Sequence, residues 1–360
     1  MQGWSSSTAM DDDDSNPPLM ATYKHLLDSH PRRLDAGDDG DGCDLPVIDL
    51  AGLRHGEEGS AAAARCRAAI VRAASEWGFF QVTGHAVPQA LLNELHGAQV
   101  AVFRRPFERK VREPLLGFSP ESYRWGTPTA TSLEQLSWSE AYHIPITPAG
   151  GGGGDRTRLV IEEVSTAMSA LAQRLARVLV GALHAGDEED EEEDDVMARC
   201  TRSTCFLRLN RYPRCPAASG GAACFGLCPH TDSDFLTVLH QDAVGGLQLL
   251  NAGRWLAVRP RPGALIVNVG DLLQAWSNDL YRSVEHRVVA SAGRERFSVA
   301  FFLCPSYDTV IRPRRRAAVA GAGAGGPRYR SFTFGEYRSQ IKDDVKLMGR
   351  KLGLERFRLL

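Results

Sequence analysis

The sequence predicts an α+β protein with an antiparallel sandwich or jelly-roll core flanked by helices. The core prediction comes from residues 203–305, where short apolar runs alternate with turn signals such as Gly245-Gly246 and Asn251-Ala252-Gly253. Many short strands at regular spacing are typical of these architectures. The runs are 206–209, 235–239, 246–250, 255–258, 264–269, 284–289 and 297–303.

Helical patterns on both sides of this region predict the flanking helices. Residues 61–77 are rich in Ala and end at Gly78, and Pro88 opens a second helix that runs to about 103. Proline is favoured in the first turn of a helix. Apolar residues at helical spacing predict a third helix over 164–183 and a last one over 334–352. Further strands are expected at 45–50, 79–82 and 137–144.

Shifts in composition divide the chain into five regions. Residues 1–42 are polar and are predicted to be disordered, apart from a helical turn near 23–27. An N-terminal region follows at 43–150, then a helix with an acidic insert at 151–199. The jelly-roll core occupies 200–310, and a loop and helix close the chain at 311–360. Glycine-rich stretches at 150–154 and 321–326 read as a spacer and a loop insertion.

Composition narrows the class of protein. The 360 residues carry a formal net charge of -2, with 43% apolar and 24% charged residues, as in ordinary globular proteins. A net charge this close to zero provides no overall electrostatic attraction to nucleic acid or to an acidic membrane, so we expect neither as a partner. No signal peptide or membrane span is recognisable, and the eight cysteines read as reduced thiols. The expected location is the cytoplasm, with the nucleus as an alternative.

Three side chains suggest a metal site. His230 and Asp232 are two residues apart, and His286 lies 54 residues later in an apolar run. If His230 and Asp232 share a strand, they project to the same face. Two imidazoles and a carboxylate that leave one face of the ion open suit non-haem Fe(II) that activates O2. The alternative is that each histidine is satisfied by ordinary hydrogen bonds.

Arg296 and Ser298 predict an anion site beside this metal. They alternate on a strand, and an arginine that points into a barrel needs an anion, because an unpaired buried charge is costly. A planar cation and a hydroxyl suit a carboxylate. Asn210 and Tyr212 share one face of their strand and could contact the other end of a dicarboxylate. Arg208 lies on the same face.

The chain resembles the plant 2-oxoglutarate- and Fe(II)-dependent dioxygenases over nearly its whole length. The matching motifs are Leu45-Pro46-Val47-Ile48-Asp49-Leu50, Trp77-Gly78-Phe79-Phe80-Gln81-Val82, Gly84-His85, Asn210-Arg211-Tyr212-Pro213, His230-Thr231-Asp232, Gly246-Leu247-Gln248, Asn268-Val269-Gly270-Asp271, His286-Arg287-Val288 and Arg296-Phe297-Ser298. The resemblance implies a double-stranded β-helix, an enzyme, and 2-oxoglutarate and O2 as co-substrates, with ascorbate as a reductant.

The same resemblance implies roles for individual residues. His230, Asp232 and His286 would hold iron, and together with Arg296 they would form the catalytic set. Arg296 and Ser298 would bind the distal carboxylate of 2-oxoglutarate, with Tyr212 and Asn210 also contacting it. Arg211 stands where the family usually has Tyr, and strand alternation predicts that it points away from the iron.

Two stretches, 137–145 and 209–213, most resemble the gibberellin 2-oxidases that act on C20 gibberellins, which implies hydroxylation at C2 and inactivation of the hormone. One alternative is a dioxygenase of flavonoid or other specialised metabolism. Another is a ligand-binding protein that keeps the fold without turnover. A third is an interaction module that acts through the basic run 312–316 or the acidic runs. Oligomeric state cannot be read from the sequence.

Overall fold

The computed structural model describes residues 14–29, 38–53, 59–116, 120–146, 155–183, 199–200, 203–216, 224–314 and 326–359. The predicted acidic insert at 187–195 and the spacer at 150–154 lie outside these residues.

Fifteen strands are described, β1 to β15 in chain order: Asp38–Cys43, Val47–Asp49, Phe79–Thr83, Tyr123–Trp125, Glu140–Pro145, Phe206–Tyr212, Phe225–His230, Leu236–Gln241, Leu247–Asn251, Arg254–Val258, Leu265–Val269, His286–Val289, Arg296–Leu303, Val310–Ile311 and Phe332–Thr333.

Two sheets form the core, and they confirm the predicted jelly roll. One has five strands in the order β1-β10-β9-β12-β7, and the other has eight in the order β2-β3-β11-β8-β13-β6-β5-β4. Apolar side chains from both sheets meet in one buried cluster that includes Leu247 and Val288 from the first and Tyr212 and Ile266 from the second. The sheets therefore face one another, and the space between them is available for a site.

Seven helices are described, α1 to α7 in chain order: Leu19–Ser29, Ala61–Glu76, Gln89–Phe103, Phe107–Arg112, Arg156–Gly181, Asp271–Trp276 and Phe334–Met348. Helices α2, α3 and α5 cover the outer face of the eight-stranded sheet in the largest apolar cluster. Ser60 is the N-cap of helix α2, and its hydroxyl accepts a hydrogen bond from the Ala63 N–H. The helix ends before Gly78. Gly78 has φ +65°, and an added Cβ would lie 2.2 Å from the Arg282 carbonyl oxygen. None of the described helices is both long and apolar enough to cross a membrane.

The N-terminal segment departs from the predicted disorder. Helix α1 extends beyond the expected turn, and its Leu19, Tyr23 and Leu26 are buried against a patch that includes Trp138. Strand β1 pairs in parallel with β10. The structure therefore differs from the predicted disorder at 14–29 and 38–42, because helix α1 covers apolar surface from distant parts of the chain and β1 pairs with the distant strand β10. The strand predicted at 137–144 begins only at Glu140.

A buried ion network lies behind the eight-stranded sheet. Glu140 is fully enclosed, with one oxygen 2.8 Å from Arg211 Nη1 and the other 2.5 Å from Lys110 Nζ. The hydroxyl of Tyr123 also donates to Glu140. Arg211 makes a second ion pair with Glu295 at 3.0 Å. Arg211 thus points away from the space between the sheets, as strand alternation predicted.

We predict that Glu140→Gln lowers the free energy of unfolding by about 3–5 kcal/mol, because it leaves Lys110 and Arg211 buried beside a neutral amide. Urea denaturation measures this change. The matched control is Glu108→Gln, whose partner Arg112 and own side chain are 78% and 69% exposed, and which should change stability by less than about 1 kcal/mol. Equal, small losses in both variants would contradict a structural role for the network.

Candidate metal centre and active-site cavity

The two histidines meet at the rim of the five-stranded sheet. His230 is the last residue of β7 and His286 the first of β12, and the two are paired across the strands. Each ring has Nδ1 near a backbone carbonyl, at 2.8 Å from Cys228 O and 3.1 Å from Val284 O. A proton on Nδ1 satisfies both carbonyls and leaves the Nε2 lone pairs free to bind a metal.

Asp232 completes the cluster from the loop that follows β7. The expectation that His230 and Asp232 share a strand is wrong, since the strand ends at His230 and the chain turns there. The Asp232 Oδ2 atom accepts hydrogen bonds from Thr237 Oγ1 at 2.6 Å and Asn268 Nδ2 at 2.8 Å. Both donors bind the same oxygen, so Oδ1 remains available to an ion.

The three side chains fit one metal ion. Asp232 Oδ1 lies 3.7 Å from His230 Nε2 and 3.8 Å from His286 Nε2. These separations are shorter than two metal–ligand bonds of about 2.1 Å each. No other group of three or more His, Cys, Asp or Glu ligands is found in the described part of the chain.

The electrostatics give His230 and Asp232 the protonation states that metal binding needs. Burial lowers the pKa of His230 to about 3, and the neighbouring His286 acts in the same direction. Burial alone would raise the pKa of Asp232, but the two imidazoles and the bonds from Thr237 and Asn268 outweigh it and hold this pKa at about 2. The imidazole is therefore neutral and the carboxylate ionised at neutral pH.

The C-terminal segment fixes the loop that carries Asp232. Lys351 Nζ donates to Thr231 O at 2.9 Å and to Ser233 Oγ at 2.8 Å, on either side of Asp232. It also pairs with Asp271 at 2.6 Å, and Asp271 accepts from the hydroxyl of Thr231 at 3.0 Å. The metal loop is therefore held by contacts that sequence reasoning did not foresee.

Arg296 and Ser298 lie together on the cavity face of β13, as predicted. Arg296 Nη1 donates to Ser298 Oγ at 3.2 Å, and Nη2 donates to Gln241 Oε1 at 2.8 Å. The guanidinium carbon lies 4.7 Å from the centre of the Tyr212 ring. Asn210 Nδ2 is 3.5 Å from Ser298 Oγ. The four predicted anion-site residues thus form one group.

Arg296 needs a further partner. It is 2% exposed, its Nε atom is buried without a hydrogen bond, and none of the carboxylates in the described ranges forms an ion pair with it. An uncompensated buried guanidinium is unfavourable, and a ligand carboxylate relieves it. The site therefore fits the distal carboxylate of a dicarboxylic co-substrate.

The metal cluster and the arginine group line one cavity of about 320 Å³ between the two sheets. The wall also includes apolar side chains, which are Phe79, Phe206, Leu227, Leu239, Leu247, Val288, Ala300 and Phe302. Such a cavity can hold a small dicarboxylate and shield a reacting centre from water.

Comparisons with known proteins agree with this geometry. The 2OG-Fe(II) oxygenase superfamily model matches residues 203–305, and the model for the N-terminal region of the non-haem dioxygenase in morphine synthesis matches 45–158. The chain belongs to the 2OG-Fe(II) oxygenase superfamily. It is an Fe(II)- and 2-oxoglutarate-dependent dioxygenase, with Fe(II) as its metal and 2-oxoglutarate as its co-substrate.

Individual relatives cover nearly the whole oxygenase. Gibberellin 2-beta-dioxygenase 5 of rice (Oryza sativa subsp. japonica) is 63% identical, over 96% of this chain and 98% of its own. Gibberellin 2-beta-dioxygenase 8 of Arabidopsis thaliana is 48% identical, over 87% of each chain. The crystal structure of JOX2 in complex with 2OG, Fe and JA matches with a TM-score of 0.69 and 29% identity, over 96% of this chain and 99% of its own.

Several family motifs have structural roles in this oxygenase. Arg287 donates to Gln248 Oε1 at 2.7 Å and packs over the ring of Trp255, so both motif residues hold the five-stranded sheet. The Nδ1 atom of His85 accepts a hydrogen bond from the Val87 N–H, and its Nε2 atom lies 3.2 Å from the carbonyl oxygen of Gly263. None of these three side chains lines the active-site cavity.

Sequence reasoning missed Thr237 and Asn268, the two donors to Asp232. A signal for them was present, because Thr237 and Asn268 pair across β8 and β11 and each lies in a predicted strand. The sequence pattern did not indicate which face of these two strands would meet the loop that carries Asp232. Sequence reasoning also missed Gln241, which orients Arg296, and Arg338, which reaches the cavity from α7.

We predict that Thr237→Val, which removes one hydrogen bond while keeping the shape of the side chain, weakens metal binding by about 10- to 100-fold. Anaerobic titration with Co(II), followed by visible absorbance, measures this without turnover. Thr166→Val is the control, because that hydroxyl is exposed on α5 and bonds only its own helix. Unchanged affinity in Thr237→Val would mean that Asp232 does not depend on this donor.

Proposed function

We propose that this oxygenase hydroxylates gibberellins at C2 and thereby inactivates the hormone. The observation that carries the proposal is the full-length, 63% identity with a rice gibberellin 2-beta-dioxygenase. The intact cluster of His230, Asp232 and His286 beside an uncompensated Arg296 supports a working enzyme over a ligand-binding protein that has lost turnover.

The proposed roles follow from the contacts around the cavity. His230 Nε2, His286 Nε2 and Asp232 Oδ1 hold iron, and their other polar atoms are already satisfied by the protein. Arg296 and Ser298 bind the distal carboxylate of 2-oxoglutarate. Tyr212 stacks on the guanidinium and keeps it in place, and Asn210 contributes an amide donor beside Ser298.

Iron(II) supplies the redox chemistry that couples decarboxylation of 2-oxoglutarate by O2 to hydroxylation of a C–H bond, giving succinate and CO2 as the other products. The protein would hold the substrate carbon in the cavity beside the iron bound by His230, Asp232 and His286, and apolar wall residues such as Leu239 and Val288 would keep water out. Ascorbate serves as the reductant that keeps the iron ferrous.

Within this activity we propose a preference for C20 gibberellins, in the cytoplasm or the nucleus. The preference rests on the stretches 137–145 and 209–213, which resemble the C20 group. The second of these includes Asn210 and Tyr212, which line the active-site cavity.

The test is aerobic turnover with Fe(II), 2-oxoglutarate and ascorbate on a panel of C20 gibberellins, C19 gibberellins and flavonoids, followed by mass spectrometry. We predict one added oxygen at C2 of a gibberellin, with one succinate per product. Asp232→Ala, folded but without the carboxylate ligand, should lose this activity. Turnover of a flavonoid in place of every gibberellin would refute the substrate assignment.

We predict that Arg296→Leu raises the KM for 2-oxoglutarate by about 10- to 100-fold, since it removes a charge-assisted hydrogen bond to the ligand. The KM for the gibberellin should change much less. Arg65→Leu is the control, because Arg65 is exposed on α2, far from the cavity. An unchanged 2-oxoglutarate KM in Arg296→Leu would remove Arg296 from the anchoring role.

A further inference from the structure

A second recess opens beside the active-site cavity on the same sheet. It has a volume of about 430 Å³ and is lined by Glu121, Ser122, Arg124, His143, Arg208 and Arg338, with Ala141 and Pro145. We call it the vestibule. His143, Arg208 and Arg338 line both spaces, so the vestibule adjoins the cavity at these three side chains.

The register of the sheet explains why the vestibule adjoins the catalytic residues. On β6, Arg208 lies two residues from Asn210 on the same face, which is about 7 Å along the strand. Arg208 pairs across the sheet with His143 on β5 and with Ala300 on β13. The row next to the proposed 2-oxoglutarate anchor therefore carries a further cation, and α7 adds Arg338 from outside the sheet.

The arginines of the vestibule outnumber the acids that line it. Arg208, Arg338 and Arg124 form no salt bridge with the carboxylates that the structure describes, and Arg208 Nε is buried without a hydrogen-bond partner. Glu121 and Arg124 also line the recess and are both exposed, whereas Arg208 and Arg338 are half-buried. Three arginines against one glutamate leave the recess positive, and a cleft lined by one sign of charge attracts ligands of the opposite sign.

The arginines also act together on His143. Desolvation by the packed neighbours of its partly exposed ring, with Arg208, Arg338 and Arg124 as further causes in that order, lowers its pKa to about 4. The imidazole is therefore neutral at physiological pH and adds no charge of its own. Its ring stacks on Phe206 at 4.0 Å, and Phe206 stacks on Phe302 at 4.4 Å.

The vestibule and the adjoining cavity together offer cations at one end and a stacked apolar wall at the other. The wall is formed by Phe206 and Phe302, which line the active-site cavity together with the metal cluster. A ligand that satisfies both ends has a rigid apolar skeleton and a carboxylate. Gibberellins have this chemistry, and the C20 forms that keep both carboxylates free carry one more anion than the C19 lactones.

We propose that the vestibule binds a carboxylate of the substrate, with Arg208 and Arg338 as its direct partners and Arg124 as an outer cation. This proposal rests on the gibberellin assignment above and deepens it, because it names the residues that select an acid. Arg296 is left for 2-oxoglutarate, so the two anions of the reaction have separate arginines.

The experiment compares a C20 gibberellin acid with its dimethyl ester, which keeps the skeleton and removes the charge. Binding to the enzyme loaded with Fe(II) and 2-oxoglutarate is measured without O2 by calorimetry. We expect the wild-type enzyme to bind the acid about 10- to 100-fold more tightly than the ester. Arg208→Gln and Arg338→Gln should each reduce this ratio, Arg208→Lys should keep part of it, and Arg65→Gln should leave it unchanged.

Affinity for 2-oxoglutarate, measured on every variant, shows that the fold and the co-substrate site remain intact. If both Gln variants keep the wild-type ratio, or if the wild-type enzyme binds acid and ester equally, the vestibule is not the carboxylate site and the gibberellin assignment stands. If the wild-type enzyme neither binds nor converts any gibberellin while it binds 2-oxoglutarate, the substrate assignment fails, and this inference fails with it.

Discussion

The site depends on the different partners of the two carboxylate oxygens of Asp232. Thr237 and Asn268 occupy Oδ2, and Oδ1 faces the Nε2 atoms of His230 and His286. A buried carboxylate with both oxygens free could rotate or take a proton. Here the donors fix its direction, and the loop around it is held in turn by Lys351. The position that is available to a metal ion follows from that fixed direction.

The eight-stranded sheet organises the rest of the site through its two-residue repeat. Even-numbered positions of β6 and β13 face the cavity: Arg296 pairs with Tyr212, Ser298 with Asn210 and Ala300 with Arg208. Odd-numbered positions such as Leu209 and Val299 face the helices and belong to the main apolar core. A shift of one residue in strand register would exchange these two sets of side chains. Packing of the apolar core therefore also determines which side chains face the cavity.

The side chains that the structure gathers at the metal cluster and the anion group could be predicted mainly from their residue types. Arg296 and Ser298 lie two apart on β13, so the strand period relates them, whereas β7 ends at His230 and Asp232 was found only by its type and its closeness in sequence. The jelly roll was predictable for a similar reason, since its short strands leave a repeating pattern of apolar runs and turns in the sequence.

The remaining features could not be predicted, because they depend on contacts between distant segments. The pattern over 334–352 predicted a helix, but nothing in it indicated that Arg338 would face His143 and Arg208. The acid Glu140 and the bases Lys110 and Arg211 are separated along the chain by 30 and 71 residues. Helix α1 was missed as a packed element because its three buried side chains are few, and the surface that they cover is formed elsewhere.

The most direct test of the account is the location of the metal. A crystal grown anaerobically with Fe(II), or with Mn(II) in its place, gives an anomalous difference map that locates the ion independently of any activity. The account predicts one strong peak within bonding distance of His230 Nε2, His286 Nε2 and Asp232 Oδ1. A peak bound by other side chains, or no peak at this cluster in a crystal with intact protein, would contradict it.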